Sequence, residues 1–178
     1  MKRILIYLFL FSFVVNTYGQ KLITTKEWQS SVSAMAGYNY ADGYDLRFEA
    51  NIRVAASNFG IYAAFSLANE TLLVDKGMPD YKEPVKSYIG EIGATCSFKM
   101  VSYPVITLYP YLGFVHVNEK TALMERKNKT TGNSFGMGIE FYLTKNFALT
   151  AKQLCYVLYS SDYGNFRTVS SAGLTIKF

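Results

Sequence analysis

The residues best suited to chemistry are charged side chains that recur at alternating positions. Polar and apolar residues alternate without interruption between positions 45 and 54, which places the polar ones on one face of a β-strand. Comparable segments extend this polar face, so that a closed sheet would gather these residues. Such a set can form an ion path, a pair of catalytic carboxylates or a salt-bridged plug. It consists of Arg47, Glu49, Arg53, Glu91, Glu140 and Lys152.

Histidine and cysteine are too scarce for several common kinds of site. One His and two Cys exclude a multi-ligand zinc cluster and a disulfide-dense scaffold. The chain has no glycine-rich phosphate loop and no nucleophile elbow. Its net charge of +5 is mild, and no basic block interleaved with aromatic residues indicates direct nucleic-acid binding. We therefore predict no catalytic, cofactor-binding or metal-binding residues, and no cofactor.

Strands must position the charged set. Half of the residues are hydrophobic and 16% are aromatic, a composition that favours β structure. The segment 105–117 is apolar on both faces, so its orientation in the sheet is ambiguous. In 147–159 the apolar residues change face after Ala151, which a β-bulge or a wrong register would explain. The segments with a period of two are 32–40, 45–54, 59–67, 87–99, 105–117, 134–143, 147–159 and 167–178.

The lengths of these segments and of their connections favour a membrane barrel. About nine to eleven tilted residues of a strand cross a bilayer. The short connections 55–58, 101–104 and 144–146 alternate with long polar ones at 69–85 and 118–132. This alternation is typical of periplasmic turns and surface loops. We predict an all-β fold, an eight-stranded antiparallel up-and-down transmembrane β-barrel.

A soluble β-sandwich or lipocalin-like barrel would show the same alternation. In that fold the large residues Phe48, Ile52 and Phe141 would have to fill a narrow core. In a membrane barrel they face lipid, and the charged residues pair inside. The interior of an eight-stranded barrel is only wide enough for side chains. We therefore predict a membrane barrel with a salt-bridged plug that does not conduct ions.

His116 is the one residue that suggests catalysis, because it lies near the outer end of the fifth predicted strand. Small outer-membrane enzymes that act on lipid A use a His with a nearby Ser and an acid. Glu119 follows His116 by three residues, but no Ser lies two residues on. We interpret His116 as a polar residue at the membrane interface. The next loop carries Arg126, Lys127 and Lys129, interpreted as a solvated face, with anionic lipid headgroups or a partner as the alternative.

The cysteines and tyrosines give two further predictions. Cys96 and Cys155 lie on predicted strands that are not neighbours, and a disulfide needs Cα atoms within about 7 Å, so we predict free thiols. Tyrosines gather near strand ends, where an aromatic girdle would meet the boundary between water and lipid. The predicted girdle consists of Tyr38, Tyr40, Tyr44, Tyr88, Tyr109, Tyr111, Tyr142, Tyr156, Tyr159 and Tyr163.

The N-terminus has the organisation of a signal peptide. Lys2 and Arg3 precede an apolar run at 4–15, and small residues lead to an expected cleavage after Gly19. As a helix this run would be about 18 Å long, short of the hydrocarbon core of about 30 Å. We predict a signal peptide at 1–19 and an outer-membrane barrel at 20–178, in a Gram-negative bacterium. The terminal Phe178 also resembles the end of the recognition strand of such barrels.

Four stretches carry a resemblance to a known family. They are the strand at 83–94 with Tyr88-Ile89-Gly90-Glu91-Ile92-Gly93-Ala94, the YPYLGF run at 109–114, the GMGIEFYLTKN run at 136–146 and the SAGLTIKF close at 171–178. Together they resemble the conjugal transfer protein TraO family of Bacteroides-group conjugative transposons. The similarity begins at about Glu83, and the N-terminal half of the chain matches more loosely.

The resemblance implies a non-enzymatic outer-membrane component of a conjugative DNA-transfer apparatus of the type IV secretion kind. Its partners would be outer-membrane lipids and other proteins of that apparatus, and the family offers no catalytic motif. The alternative function is that of a free-standing small barrel, either an adhesin-like surface protein or a lipid-modifying enzyme. Neighbouring genes would separate the two hypotheses.

Overall fold

The structure is a computed structural model that describes residues 29–39, 42–53, 58–73, 82–102, 105–121, 127–144, 146–161 and 164–178. The predicted signal peptide lies outside these residues. No helix long and apolar enough to span a bilayer occurs in the described part of the chain. The strands are β1 (Gln29–Asn39), β2 (Gly43–Arg53), β3 (Phe59–Leu73), β4 (Lys82–Cys96), β5 (Phe98–Ser102), β6 (Val105–Thr121), β7 (Lys127–Tyr142), β8 (Phe147–Leu158) and β9 (Phe166–Lys177).

These segments close into a barrel of eight strands. Consecutive strands pair antiparallel except for β4, which pairs with β6 and not with β5, and β1 pairs with β9. β4 and β5 form one barrel strand interrupted at Ser97, whose N–H donates to the carbonyl oxygen of Asn58 at 2.9 Å. The predicted eight-stranded up-and-down barrel is confirmed. We call the end where β1–β2, β3–β4, β6–β7 and β8–β9 are joined the loop end, and the opposite end the turn end.

Alternation in the sequence becomes a division between the outside and the inside of the barrel. On β2, Phe48 is 55% exposed and Ile52 is 50% exposed, whereas Arg47 is 1% exposed. The same division holds on the other strands, as in the pattern of β9. A continuous apolar outer surface with closed backbone pairing is stable in lipid and not in water. The soluble alternative is therefore wrong.

Two expectations about strand faces are settled by the structure. β8 contains no bulge, and Leu154, Tyr156 and Leu158 point inward in register with Lys152. The interpretation of a β-bulge in this segment is wrong. The apolar residues change from the outward to the inward face because the half of the interior nearer the loop end is packed with apolar side chains. On the ambiguous strand β6, Val115 and its inward neighbours are buried, whereas Leu112 and Phe114 face outward.

The long connections are shorter than predicted. β3 continues to Leu73 and β4 begins at Lys82, so much of the expected loop at 69–85 is paired strand. β6 and β7 likewise pair as far as Lys120 opposite Lys127, inside the expected loop at 118–132. Polar composition suggested loops, but inward side chains at these positions remain buried, so the hairpins stay paired beyond the apolar outer surface.

Glycines on the inward face make room for tyrosine rings. Tyr109 lies opposite Gly138 and Tyr111 opposite Gly136 in the β6–β7 pair. A Cβ atom on Gly138 would lie 2.2 Å from Cζ of Tyr109, and one on Gly136 would lie 2.6 Å from the hydroxyl of Tyr111. Such distances are excluded by van der Waals contact. The stretches at 109–114 and 136–146 thus interlock in the interior.

Candidate functional site

The barrel interior holds a cluster of charges at its centre. The guanidinium of Arg47 donates to Glu49 at 3.0 Å and to Glu91 at 2.7 Å, and Lys152 forms a second ion pair with Glu49. Each of these side chains is at most 5% exposed. We call Arg47, Glu49, Glu91 and Lys152 the central cluster. It joins β2, β4 and β8 across the interior.

Neutral donors complete the central cluster. The hydroxyl of Tyr62 donates to Glu91 at 2.6 Å, and Ser134 donates to the same carboxylate oxygen. Arg47 also donates to the hydroxyl oxygen of Tyr156 at 3.3 Å. Glu91 therefore receives bonds from β2, β3 and β7. Buried charges are stable when paired and hydrogen-bonded in this way.

A second cluster lies near the loop end. Arg167 on β9 bonds Glu70 at 2.8 Å and also pairs with Glu119. Asn39 donates to Glu70 at 3.0 Å, and Asn128 donates to Glu119 at 2.9 Å. We call Glu70, Glu119 and Arg167 the outer cluster. It links strands on opposite sides of the barrel mouth.

A third group lies at the turn end. Lys177 bonds Glu140 at 2.7 Å, and the hydroxyl of Tyr142 donates to the same carboxylate at 2.9 Å. Arg53 donates to Ser97 at 3.1 Å. Arg53, Glu140 and Lys177 line a small polar recess together with the buried Tyr109. We call Glu140, Lys177 and Arg53 the inner cluster.

An apolar layer lies between the central and outer clusters, next to the buried Asp45, which is the cross-strand neighbour of Ala68. It consists of one inward side chain on each of four strands, every one at most 5% exposed, placed two residues from a member or partner of the outer cluster. Dry packing between charged groups is expected where the interior holds only side chains. The layer is formed by Ala68, Ile89, Val117 and Val169.

This arrangement suits a structural plug better than a reactive centre. Every carboxylate of the central cluster is matched by a cation, and the described residues contain no group of His, Cys, Asp and Glu placed to hold a metal ion. The carboxylates of the central cluster are bonded to cations and hydroxyls and are buried, so they are not presented to a substrate. The geometry supports the salt-bridged plug, and the absence of conduction stays a prediction.

The structure places all six predicted lumen residues inside the barrel and adds five more buried charged residues. Arg47, Glu49, Glu91 and Lys152 meet directly, whereas Arg53 and Glu140 belong to the inner cluster. The sequence reasoning missed Glu70 and Glu119 because it assigned them to loops. The sequence pattern that could have placed Glu70 and Glu119 inside is the period of two, which continues beyond the last apolar residues of the outward face. Arg167 and Lys177 lay on the predicted polar face but were not assigned to the network. The added residues are Asp45, which also lay on the predicted polar face, Glu70, Glu119, Arg167 and Lys177.

The other predicted positions have mixed outcomes. His116 is exposed on the outer surface, opposite Gly90 and Thr131, which agrees with an interfacial residue. Cys96 and Cys155 are free thiols, as predicted, and both are partly exposed. Lys127 and Lys129 lie on β7 rather than in a loop, and Arg126 falls outside the described residues.

The predicted tyrosine girdle is correct only in part. Four of its members are exposed on the outer surface toward the loop end, where a girdle belongs: Tyr38, Tyr44, Tyr88 and Tyr159. Three others point inward and pack in the core, because they lie on the lumen face of their strands: Tyr109, Tyr111 and Tyr156. Tyr142 bonds the inner cluster, and Tyr40 and Tyr163 lie outside the described residues.

The fold is similar to that of known outer-membrane barrels. The chain superposes on neisserial surface protein A with a TM-score of 0.60 and 18% identity, covering 85% of this chain and 96% of that one. The N-terminal β-barrel domain of Pseudomonas aeruginosa OprF gives 0.58 and 17%, covering 84% and 97%. The chain has the fold of a bacterial outer-membrane β-barrel. Its apolar outer surface places this barrel in the outer membrane.

A third similar structure is Ail, the attachment invasion locus protein of Yersinia pestis, in complex with the heparin analogue sucrose octasulfate. It gives a TM-score of 0.57 and 15% identity, covering 85% of this chain and all (100%) of that one. No family model and no curated protein matches the sequence. The similarity therefore concerns the fold, and the function has to be argued from this chain.

Proposed function

We propose that this barrel is a non-enzymatic component of a conjugative DNA-transfer apparatus in the outer membrane. It acts through contacts made by its exposed ends and not by passing DNA or ions through its interior. The observation that carries this mode of action is the interior itself, in which Arg47 is 1% exposed and bonded to two carboxylates. Because side chains fill the lumen, we expect the barrel to act on other molecules through contacts at its exposed surface.

The transfer role is supported by the resemblance to the TraO family. Two of the resembling stretches, 109–114 and 136–146, supply residues that interlock in the interior. They therefore support the barrel fold more directly than they support contacts with partner proteins. The exposed partner surfaces are the paired hairpins β3–β4 and β6–β7, which extend beyond the apolar surface. We expect these hairpins and the short turns to contact other proteins of the apparatus, without direct contact to DNA.

The non-enzymatic assignment is supported by the surroundings of His116. Its cross-strand neighbours are Gly90 and Thr131, so the paired register brings no carboxylate beside the imidazole. Glu119, the acid nearest to His116 in the sequence, points inward and bonds Arg167. It therefore lies on the opposite side of the sheet from His116. A general base needs an orienting partner within hydrogen-bond reach.

Deletion of the gene tests the transfer role. Mating frequency should fall to background in the deletion strain and return when the wild-type chain is supplied, while growth and sensitivity to detergents and antibiotics stay unchanged. A strain carrying His116→Ala should transfer at the wild-type frequency, which separates the contact role from an enzymatic one. Unchanged transfer in the deletion strain would overturn the proposal.

The second candidate is a free-standing surface barrel that takes part in adhesion or modifies lipid. The observation that favours it is the similarity to Ail and to neisserial surface protein A, which are named for attachment and for the cell surface. Binding of the deletion strain to host cells or to sulfated polysaccharides would be reduced in this case, with mating unaffected. Lipid A hydrolysis that disappears in His116→Ala would support the lipid-modifying form.

A further inference from the structure

Four exposed lysines gather on the outer surface at the loop end of β4, β6 and β7. Lys86 lies opposite Lys120, and Lys120 lies opposite Lys127, so three lysines stand side by side on adjacent strands. Lys129 follows Lys127 by two residues on the same face. Neighbouring strands are about 4.8 Å apart, so the three lysines in register occupy a width of about 10 Å. We call these four residues the lysine face.

Like charges in direct cross-strand register are unfavourable unless something neutralises them. No member of the lysine face forms an ion pair with a side chain in the described ranges. The cross-strand neighbours that complete its rows are Asn69, Tyr88 and Asn118, which carry no negative charge.

The acids of the same hairpins whose side chains the structure describes are directed to the other side of the sheet. Glu70 and Glu119 point into the barrel, where both are bonded to Arg167. Among lysines whose side chains are described, Lys152 and Lys177 are likewise buried and paired inside. Positive charge therefore accumulates on the outside of this part of the barrel, while the negative charge is consumed inside. The lysine face lacks an anionic partner from the described part of its own chain.

The height of the lysine face identifies where that partner lies. On β6 the outward apolar residues end at Phe114, after which come His116, Asn118 and Lys120. At about 3.3 Å per residue and a tilt of about 40°, Lys120 lies roughly 15 Å and Asn118 roughly 10 Å above Phe114. The ammonium of Lys120 leans to within 5.5 Å of the Tyr88 ring centroid, one row nearer the bilayer. Lysine chains that bend downward in this way reach the headgroups.

We propose that the lysine face binds the phosphate groups of phosphorylated glycolipids in the outer leaflet around the barrel. Several ammonium groups across about 10 Å can neutralise more than one phosphate of the same headgroup, whereas a single lysine binds as a point charge. The exposed Tyr88 below the lysines packs at the level of the glycolipid sugar or the upper acyl chains. This inference rests on the barrel being in the membrane and is independent of the transfer role.

The test measures binding of diphosphoryl lipid A to the full barrel in a non-ionic detergent. One variant replaces Lys86, Lys120, Lys127 and Lys129 with Gln, and a matched control replaces the same four residues with Arg. We expect the Gln variant to bind roughly tenfold more weakly or worse, and the Arg variant to retain affinity, because only charge is removed in the first. Heat-modifiable migration on a gel shows that each variant is folded.

The other arms distinguish the source of the anion. Fully dephosphorylated lipid A should bind the wild-type barrel as weakly as diphosphoryl lipid A binds the Gln variant, and added salt should weaken binding of the phosphorylated form. The proposal is overturned if the Gln variant binds diphosphoryl lipid A like the wild type. It is also overturned if inorganic phosphate or a sulfated polysaccharide binds the lysine face with an affinity that lipid A does not match.

Discussion

At the scale of single residues, the barrel is held by cations that each serve two carboxylates. Arg47 bonds Glu49 and Glu91, and Arg167 bonds Glu70 and Glu119. Removing one member of a buried pair leaves an uncompensated charge, which costs more than the pair itself contributes. The two arginines are therefore the positions where a single substitution should be felt most strongly.

Substituting Arg167 with Met should lower the free energy of unfolding by about 3–5 kcal/mol, because two buried carboxylates lose their cation. Adding Glu70→Gln and Glu119→Gln to Arg167→Met should recover most of this loss, since neither position then carries a charge that has lost its cation. Urea unfolding in lipid vesicles, followed by circular dichroism, measures both effects. Equal stability of the single variant and the wild type would contradict the assigned role of Arg167.

At the scale of strands, the tyrosine rings of β6 pack over the glycines of β7. The inward face of β7 presents Gly136, Gly138 and Glu140 at alternate positions, and the tyrosines of β6 lie over the two glycines. The Gly-x-Gly-x-Glu pattern therefore has a packing function in this barrel. The same strands continue beyond the apolar surface, which lifts the lysine face above the hydrocarbon.

The Gly138→Ala variant tests this interlocking. Its Cβ would lie 2.2 Å from Cζ of the buried Tyr109, so we expect a loss of about 1–3 kcal/mol in the free energy of unfolding. The matched control is Gly90→Ala, which faces outward, where the nearest atom would be 4.0 Å away; this variant should be as stable as the wild type. Tyr109→Leu should restore stability to Gly138→Ala, and failure of that rescue would disprove the steric explanation.

The direction of the hairpins gives a topological prediction. In a background with Cys96 and Cys155 replaced by Ser, a Lys127→Cys variant should react with a membrane-impermeant maleimide on intact cells. Asn146→Cys, at the turn end, should react only after the outer membrane is made permeable, because short turns face the periplasm. Leu112→Cys, within the apolar surface, is the unlabelled control. Labelling of Asn146→Cys on intact cells would reverse the orientation.

At the scale of the whole molecule, the interior holds three charged clusters, with an apolar layer and the buried Asp45 between two of them. The central cluster is at most 5% exposed, and so is each side chain of the layer formed by Ala68, Ile89, Val117 and Val169. The interactions that stabilise this eight-stranded barrel are therefore the same ones that fill its interior.

The purified wild-type barrel should therefore carry no sustained ion current in planar bilayers at any applied voltage that the bilayer tolerates. A porin recorded under the same conditions is the positive control for the bilayer, and heat-modifiable migration shows that the inserted protein is folded. Long-lived openings of uniform conductance would show that the clusters line a path and do not form a plug.

The sequence alone was sufficient for the strands, the closed barrel and the side of the sheet on which Arg47, Glu49 and Lys152 lie, because a period of two is a local property of the chain. Free cysteines and an interfacial His116 followed from the same register.

The partners of each charge could not be predicted in this way. Arg167 meets Glu70 and Glu119 only because closure brings β9, β3 and β6 to one mouth of the barrel, and such contacts depend on stagger between distant strands. The register of the hairpins likewise decided that Lys86, Lys120 and Lys127 stand side by side, where polar composition had suggested only loops.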